Sequence, residues 1–363
     1  MNIKEFGSNF CEELSKHSET LKDKENIIFF DTGRSALRFL LDNLVHNIER
    51  VMLPQYICES VLKVFTERKY QITFYSVNEQ MELCRNSFEN MIDTEKPQLI
   101  LIQTYFGFDT LCKDRVFLEK LRRRGIIIIE DVTHRILSDN LGTCSDFLIG
   151  SIRKWCAIPD GGFLVKLDKT NFFQPLRMKE NTTFVAKRIA AQIEKHAYLE
   201  NGSGDKKFIP LFEESEILLD EQKNYYSMSE YTRERILAVQ WKQIAVKRYE
   251  NYCILNCILK NVQGMEIIYS HIPCDVVPLY FPVYVKSNMR DPFRSYMRKK
   301  EIFLPIIWPM SPILQDKCSK SVQKIYNEIL AIPCDQRYTE QEMMFVAYEI
   351  IQYFQQNIVK GVV

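Results

Sequence analysis

Short apolar runs alternate with amphipathic helical patterns along residues 25–167. The runs have the length of strands and are bounded by turn residues, whereas the segments between them carry apolar residues three and four positions apart, which is typical of helices. The pattern predicts strands at residues 25–30, 50–54, 71–77, 98–103, 125–131, 146–151 and 161–167, and helices at residues 33–44, 58–69 and 116–125.

The early strands are apolar throughout and do not alternate between apolar and polar residues. Such strands are typical of a sheet that is covered on both faces. Because helices separate most of the strands, we expect right-handed crossovers and a mainly parallel sheet. The sequence therefore predicts an α/β fold with a mostly parallel central sheet flanked by helices, in a large domain over residues 1–245.

The C-terminal part of the chain follows a different pattern. Residues from about 175 to 260 are strongly helical, and residues 201–207 interrupt them where we expect the chain to pass towards a second unit. The remainder predicts a smaller α+β domain over residues 246–363. Its main segments are an apolar stretch at 276–285, a helix at 290–300 and an amphipathic helix at 339–357.

Composition and charge exclude several classes of protein. The 363-residue chain has 48 Lys and Arg against 47 Asp and Glu, so its formal charge of +1 gives no broad attraction for nucleic acid or an anionic membrane. With 46% hydrophobic residues, most of the chain is expected to fold around a core. No apolar run reaches the roughly 18 residues that span a bilayer, and the polar N-terminus lacks the core of a signal peptide.

The cysteines carry a separate signal. There are 11 of them, scattered along the chain with no CxxC pair, and an odd number does not fit a closed disulfide framework. We therefore expect free thiols used as small core residues in a soluble cytoplasmic protein, and no metal site.

Glycine is scarce, with 12 residues, and seven of these lie between Gly33 and Gly162. A chain with so few glycines is expected to keep each one where the backbone requires it. The cluster indicates a site built from loops.

Residues that can do chemistry follow three of the predicted strands, and ligands of open α/β sheets bind beyond the carboxyl ends of strands. Gly33 and Ser35 open a helix after the first strand, which outlines a phosphate site but is also an ordinary helix cap. Asp131 ends another strand, and His134 follows three residues later. Helix capping, a magnesium ligand and a solvated loop histidine are the alternatives there.

Lys154 follows the strand at 146–151, three residues after Ser151. Such a lysine is either a solvated surface residue or a Schiff-base lysine whose neighbouring serine binds a phosphate. A phosphate site, a carboxylate and a lysine, each after a strand of one sheet and in this order, are together the parts of a pyridoxal phosphate site. There the carboxylate keeps the pyridine nitrogen protonated, and the lysine holds the aldehyde and moves a proton.

With these residues in place, the sequence resembles the fold-type I pyridoxal-phosphate aminotransferases, and most closely the DegT/DnrJ/EryC1/StrS family of sugar aminotransferases. The resemblance runs over nearly the whole chain, and no single motif carries it. It rests on residues 32–41, 51–61, 103–110, 126–139 and 150–165, with weaker agreement at 225–237, 281–285 and 299–309.

The resemblance implies a role for each residue that contacts the cofactor. Lys154 would hold it as an internal aldimine, and Asp131 would pair with the pyridine nitrogen. His134 stands where the family has a glutamine touching the phenolic oxygen, and it can make the same contact as a donor.

The resemblance also implies a phosphate-binding group. Ser35 and Ser151 would bind the phosphate together with the backbone N–H groups of Arg34 and Ser35, at the turn that Gly33 allows. The paired glycines Gly161 and Gly162 match those that follow the lysine in the family.

Three residues are considered at the position that stacks on the cofactor ring, and the ring itself stays open between Tyr56 and Tyr105. The family commonly has an aromatic residue where the alignment places Cys58, so Tyr56 or Tyr105 would have to supply the ring instead.

Further positions also depart from the family. Its asparagine from the neighbouring subunit falls near Asn224 or Tyr225, and its histidine-tyrosine-proline segment is Ile307-Trp308-Pro309 here. Arg153, directly before the lysine, is unusual and suits either an anionic group or the surface.

The resemblance implies a pyridoxal-phosphate-dependent aminotransferase that moves an amino group from glutamate to a keto group of a nucleotide-linked sugar, working as a homodimer. The alternatives are a non-catalytic or regulatory relative and a pyridoxal phosphate enzyme with a non-sugar substrate. A nucleotide-dependent enzyme has little support, since neither GxGxxG nor GxxxxGK[ST] follows any strand.

Overall fold

The computed structural model of the protein describes residues 5–11, 26–44, 47–168, 178–201 and 205–359. A seven-stranded sheet with the order β1-β7-β6-β5-β4-β2-β3 forms its centre. The strands are β1 (Ile27–Phe30), β2 (Arg50–Pro54), β3 (Gln71–Tyr75), β4 (Leu99–Gln103), β5 (Ile127–Asp131), β6 (Phe147–Ser151) and β7 (Gly162–Lys166). All seven predicted strands are confirmed, with ends that differ by a few residues.

The sheet is mostly parallel, as predicted, and β7 is the exception. This strand runs antiparallel to both of its neighbours, β1 and β6. Only residues 152–161 join β6 to β7, and a parallel pair needs a crossover of about a dozen residues or more. The short connection therefore returns β7 directly beside β6.

Both faces of the central strands are covered, which confirms the prediction from their unbroken apolar sequences. All five residues of β4 and all five of β6 are buried. The first helices of the chain are α1 (Gly33–Asn43), α2 (Glu59–Thr66), α3 (Arg85–Glu95) and α4 (Arg115–Arg123).

Of these helices, α3 is one that the apolar pattern does not predict. Only Phe88 and Ile92 of its eleven residues are buried, and its N-cap residue Cys84 makes no side-chain capping bond. A single pair of core contacts gives too weak a periodic signal to be recognised in the sequence.

The remaining helices are α5 (Thr182–Asn201), α6 (Phe208–Glu221), α7 (Glu230–Ile236), α8 (Trp241–Leu259), α9 (Ser287–Arg298), α10 (Lys320–Glu328) and α11 (Glu340–Val359). A second, antiparallel sheet has the order β10-β9-β8 and consists of β8 (Met265–Ile267), β9 (Phe281–Val285) and β10 (Ile329–Ile332). This part is the predicted α+β unit. Among the described residues, no helix is long and apolar enough to cross a membrane.

The division of the chain at residues 245 and 246 stays a prediction, and it falls inside α8. Part of the predicted passage at 201–207, residues 202–204, lies outside the described residues.

Gly162, the first residue of β7, brings this strand into contact with the start of α1. A Cβ atom added at Gly162 would lie 2.1 Å from the carbonyl carbon of Thr32 and 2.5 Å from the backbone nitrogen of Gly33. Both neighbours are backbone atoms, which cannot turn away as a side chain can. Only glycine allows the α1 N-terminus to sit this close to the sheet.

We predict that Gly162→Ala lowers the free energy of unfolding by about 3 kcal/mol or more, because the methyl group forces the backbone of two elements apart. Gly125→Ala is the control. Gly125 has φ +89° and nothing within 4 Å of an added Cβ, so only the backbone conformation is penalised, at about 1–2 kcal/mol. Chemical denaturation measures both losses, and equal losses would contradict the close-approach explanation.

Candidate active site

The residues that the sequence singles out meet at one edge of the sheet. In the strand ladders Ser151 lies opposite Gly162, and Phe30, the last residue of β1, lies opposite Gly162 from the other side. Asp131 lies opposite Ile149, two residues before Ser151. The carboxyl ends of β1, β5 and β6 therefore lie together, with the N-terminus of α1 directly after β1.

The N-terminus of α1 has free backbone donors. The N–H of Ser35 donates to the hydroxyl oxygen of its cap residue Thr32 at 3.2 Å, so ordinary capping accounts for that group. The N–H groups of Gly33 and Arg34 have no acceptor within the described part of the chain. They point from the positive end of the helix dipole and are suited to an anion.

The side chains around this helix end are tied to α6 and to the segment that follows it. The Ser35 hydroxyl is buried and accepts a hydrogen bond from Gln222 Nε2 at 2.9 Å. The guanidinium of Arg34 donates to Asp220 Oδ1 at 2.7 Å and to the carbonyl oxygen of Leu219 at 3.0 Å. The Nη1 group of Arg34 is therefore committed to α6. Gln222 has no signal in the sequence, because it lies at the end of a helix that is distant along the chain.

Hydrogen bonds from Thr133 hold the carboxylate of Asp131. The N–H of Thr133 donates to Oδ1 at 2.9 Å, and the Thr133 side chain also bonds to the carboxylate. The side chain is buried at the end of β5, and burial raises the pKa of its carboxyl. A cationic group placed beside this carboxylate would restore the ionised form, since an opposite charge favours it.

His134 is neutral with a defined tautomer. Its Nδ1 accepts a hydrogen bond from the N–H of Phe106 at 3.4 Å, which leaves the ring proton on Nε2. Burial, and then the positive charge of Lys154, lower the pKa of His134 to about 3. The ring stacks on Trp308, with 5.0 Å between ring centroids. His134 is therefore a hydrogen-bond donor through Nε2.

Lys154 is the last residue of a 3-10 helix, Ile152–Lys154, that directly follows β6. Its side chain reaches solvent within a cleft of about 110 Å³. Repulsion from the adjacent Arg153 guanidinium, helped by partial loss of water in the cleft, lowers the pKa of Lys154 to about 8. With this pKa, about a tenth of the amine is unprotonated, and hence nucleophilic, at pH 7, far more than at the ordinary pKa of 10.5.

Arg153 itself is not a surface residue, since its side chain is 8% exposed. Its guanidinium donates to both carboxylate oxygens of Glu216 at 2.8 and 3.4 Å, and Arg188 donates to the same carboxylate at 3.0 Å. The negative charge of Glu216 raises the pKa of Lys154 and so opposes Arg153. Glu216 lies on α6 and Arg188 on α5, outside the segments that carry the sequence resemblance.

The three residues considered for the ring-stacking position lie in two places. Tyr56 and Tyr105 are fully buried, with 5.3 Å between their ring centroids, and the Tyr105 hydroxyl donates to the Tyr56 carbonyl oxygen at 2.7 Å. Both pack against Trp308. Cys58 is partly buried at the start of α2, and its thiol is close enough to Lys154 to act on the pKa of the amine.

The residues expected near a neighbouring subunit contact their own chain. The carbonyl oxygen of Asn224 accepts from Gln222 at 3.0 Å, and the ring of Tyr225 packs edge-on against Phe39 of α1 at 5.3 Å. This segment therefore packs on α1 of its own chain.

No family model and no curated protein matches this sequence. Solved structures are similar to it over most of their length. The aminotransferase TlmJ from Streptoalloteichus hindustanus has a TM-score of 0.66 and 15% identity, over 90% of this chain and 85% of its own. PseC from Helicobacter pylori, an aminotransferase involved in the biosynthesis of pseudoaminic acid, has a TM-score of 0.67 and 13% identity, over 97% and 100%.

A DegT DnrJ EryC1 StrS aminotransferase from Brucella abortus is similar as well, with a TM-score of 0.61 and 13% identity over 90% of this chain and 86% of its own. These TM-scores show a shared fold, and identities this low show nothing beyond the fold. The chain has the fold of these aminotransferases, which confirms the fold-type I architecture that the sequence resemblance implies.

We predict that the Lys154 amine titrates near pH 8, below the ordinary 10.5, because Arg153 disfavours its charged form. Competitive acetylation followed by peptide mass spectrometry should show its reactivity rising through about pH 8. Lys195 is the control: its pKa is also lowered to about 8, but it is 1% exposed and should stay unreactive. A midpoint near 10.5 for Lys154 would contradict the geometry.

Proposed function

We propose that the protein is a pyridoxal-phosphate-dependent aminotransferase. The observation that carries this proposal is Lys154, an exposed amine of lowered pKa at the strand end next to the one that bears Asp131. The likeness in fold to solved aminotransferases supports the same reaction class.

The residues present fit the cofactor. The unbonded N–H groups of Gly33 and Arg34, with the hydroxyls of Ser35 and Ser151, would hold its phosphate. The buried carboxylate of Asp131, whose ionised form an opposite charge favours, is suited to the protonated pyridine nitrogen.

Two further side chains complete the proposed site. His134 would donate through Nε2 to the phenolic oxygen of the cofactor, and Lys154 would hold its aldehyde carbon. Cys58, close to Lys154, is a thiol where an aromatic ring was expected, and Tyr56 and Tyr105 lie in the aromatic core with Trp308.

When bound, pyridoxal phosphate supplies the electron sink for moving an amino group. The chain supplies the proton chemistry around it. Lys154 is unprotonated in part near pH 8. Its amine would take the proton from the substrate carbon and deliver it to the cofactor carbon. The ionised Asp131 keeps a proton on the ring nitrogen, and neutral His134 orients the phenolic oxygen without adding charge.

The substrates belong to the same proposal. We take glutamate as the amino donor and a keto group on a nucleotide-linked sugar as the acceptor. PseC, whose fold is similar, is involved in the biosynthesis of pseudoaminic acid, and DesV of S. venezuelae, another similar structure, was solved with a ketimine intermediate. A homodimer in the cytoplasm is part of the proposal.

Two features favour the alternatives of a non-catalytic relative or a non-sugar substrate. Cys58 stands where the family has an aromatic residue, and Trp308, in a segment that departs from the family's histidine-tyrosine-proline, stacks on His134. Failure of the purified protein to bind pyridoxal phosphate would favour the non-catalytic relative. A cofactor-loaded protein that accepts glutamate but no nucleotide keto-sugar would favour the non-sugar substrate.

We predict that Lys154→Ala abolishes turnover, because no other described amine occupies this strand end. The wild-type protein with cofactor should show visible absorbance that glutamate bleaches, and borohydride reduction with peptide mapping should place the cofactor on Lys154. Lys187→Ala, at an exposed ion pair with Glu214, is the control and should behave as wild type. A Lys154→Ala protein that turns over normally would overturn the assignment.

We predict that Asp131→Asn retains the cofactor but lowers kcat about a hundredfold or more, equivalent to roughly 2.7 kcal/mol, because a neutral amide cannot hold the proton on the pyridine nitrogen. Steady-state kinetics at saturating cofactor measures the loss. An unchanged kcat would remove Asp131 from the site, and loss of cofactor without a kinetic defect at saturation would give it a binding role only.

A further inference from the structure

Arg153, Arg188 and Glu216 form an unbalanced charge cluster beside Lys154. Glu216 is the carboxylate that both guanidiniums contact, at 2.8 Å from Arg153 and 3.0 Å from Arg188. The two arginine side chains are 8% and 9% exposed, and the Nε atom of each is buried without any partner in the described structure. The cluster therefore has more positive charge and more donors than its carboxylate uses.

Both arginines line the cleft that contains Lys154. The cleft has a volume of about 110 Å³ and is lined by Arg153, Lys154, Arg188, Gln192, Ser8 and Asn9, among others. Pockets for drug-sized molecules measure roughly 300–1,000 Å³, so this space suits the acidic end of a small molecule and not a nucleotide. A ligand held here would lie next to the proposed reacting amine.

Glu216 occupies the cluster as a carboxylate that can leave it. Its side chain is 43% exposed, unlike those of the arginines it contacts. The guanidinium of Arg153 grips both of its oxygens, which is the way an arginine binds a free carboxylate. The positive charge of Arg153 holds the pKa of Glu216 well below its usual range, so the group stays ionised and competes with any incoming anion.

We propose that Arg153 and Arg188 are the binding site for a carboxylate of a small amino-acid substrate, and that Glu216 fills this site until the substrate displaces it. The substrate identity rests on the proposed aminotransferase function, whereas the binding site rests on the cluster itself. Glu216 would then tune substrate affinity by competing for the same donors.

The test is the binding of succinate, a dicarboxylate without an amino group, to the cofactor-loaded protein by titration calorimetry. Arg188→Gln should weaken succinate binding about tenfold or more, because a charged hydrogen bond is lost. Glu216→Gln should have the opposite effect and tighten it several-fold, because the competing charge is removed. Glu214→Gln, the same change on the solvent side of α6, should leave binding unchanged.

Each outcome supports or overturns the site. Weaker binding by Glu216→Gln, or unchanged binding by Arg188→Gln, would make the cluster a structural ion pair and overturn the proposal. If Arg188→Gln unfolds early in a thermal melt, Arg188→Lys serves instead, and it should bind succinate more weakly than wild type because it loses the fork geometry. Competition of succinate by uridine diphosphate would overturn the carboxylate assignment in favour of a phosphate.

The same titration separates this inference from the proposed function. Visible absorbance of the sample reports cofactor binding before succinate is added. A protein that takes up no cofactor but shows the opposed effects of Arg188→Gln and Glu216→Gln on succinate would retain the anion site and lose the aminotransferase assignment. A protein that binds cofactor and loses its absorbance with glutamate, yet shows neither effect on succinate binding, would retain the aminotransferase assignment and lose the anion site.

Discussion

The candidate site depends on one close approach between backbones. Gly162 allows the first turn of α1 to lie against the sheet, with 2.1 Å between its hypothetical Cβ and the carbonyl carbon of Thr32. The same contact sets Ser151, directly opposite Gly162, beside the unbonded N–H groups of Gly33 and Arg34. An antiparallel β7 makes this possible, because the chain returns at once from Lys154 to the helix that would hold a phosphate. The short connection between β6 and β7 therefore fixes the position of Lys154 relative to the N-terminus of α1.

The charged residues around Lys154 act on its pKa in opposite directions. Arg153 lowers the pKa of Lys154 and Glu216 acts to raise it. These two neighbours are themselves paired by a hydrogen bond, so the pKa of the amine depends on their ion pair. Glu216 belongs to α6, the helix whose C-terminal end also binds the guanidinium of Arg34. Packing of α6 therefore acts on both ends of the proposed cofactor, its phosphate side and its aldehyde side.

Much of the fold could be predicted because its signals are local. Unbroken apolar runs such as β4 and β6 identify buried strands, and the residues just after them lie together by the geometry of a parallel sheet. Gln222, Glu216 and Arg188 could not be found in this way, since they lie on α5, on α6 or at its end, more than 30 residues along the chain from Ser35 and from Lys154. The helix α3 was missed for lack of apolar residues. The roles of Lys154 and Asp131 stay predictions that their positions support.

The fixed tautomer of His134 has a spectroscopic meaning. With Nδ1 accepting from Phe106 and a pKa of about 3, this imidazole does not change charge across the range in which Lys154 gains or loses its proton. The protonation state of His134 therefore stays constant while that of Lys154 changes. In nitrogen NMR of the labelled protein, a change in the Nε2 signal of His134 would report a change in its surroundings and not its own protonation.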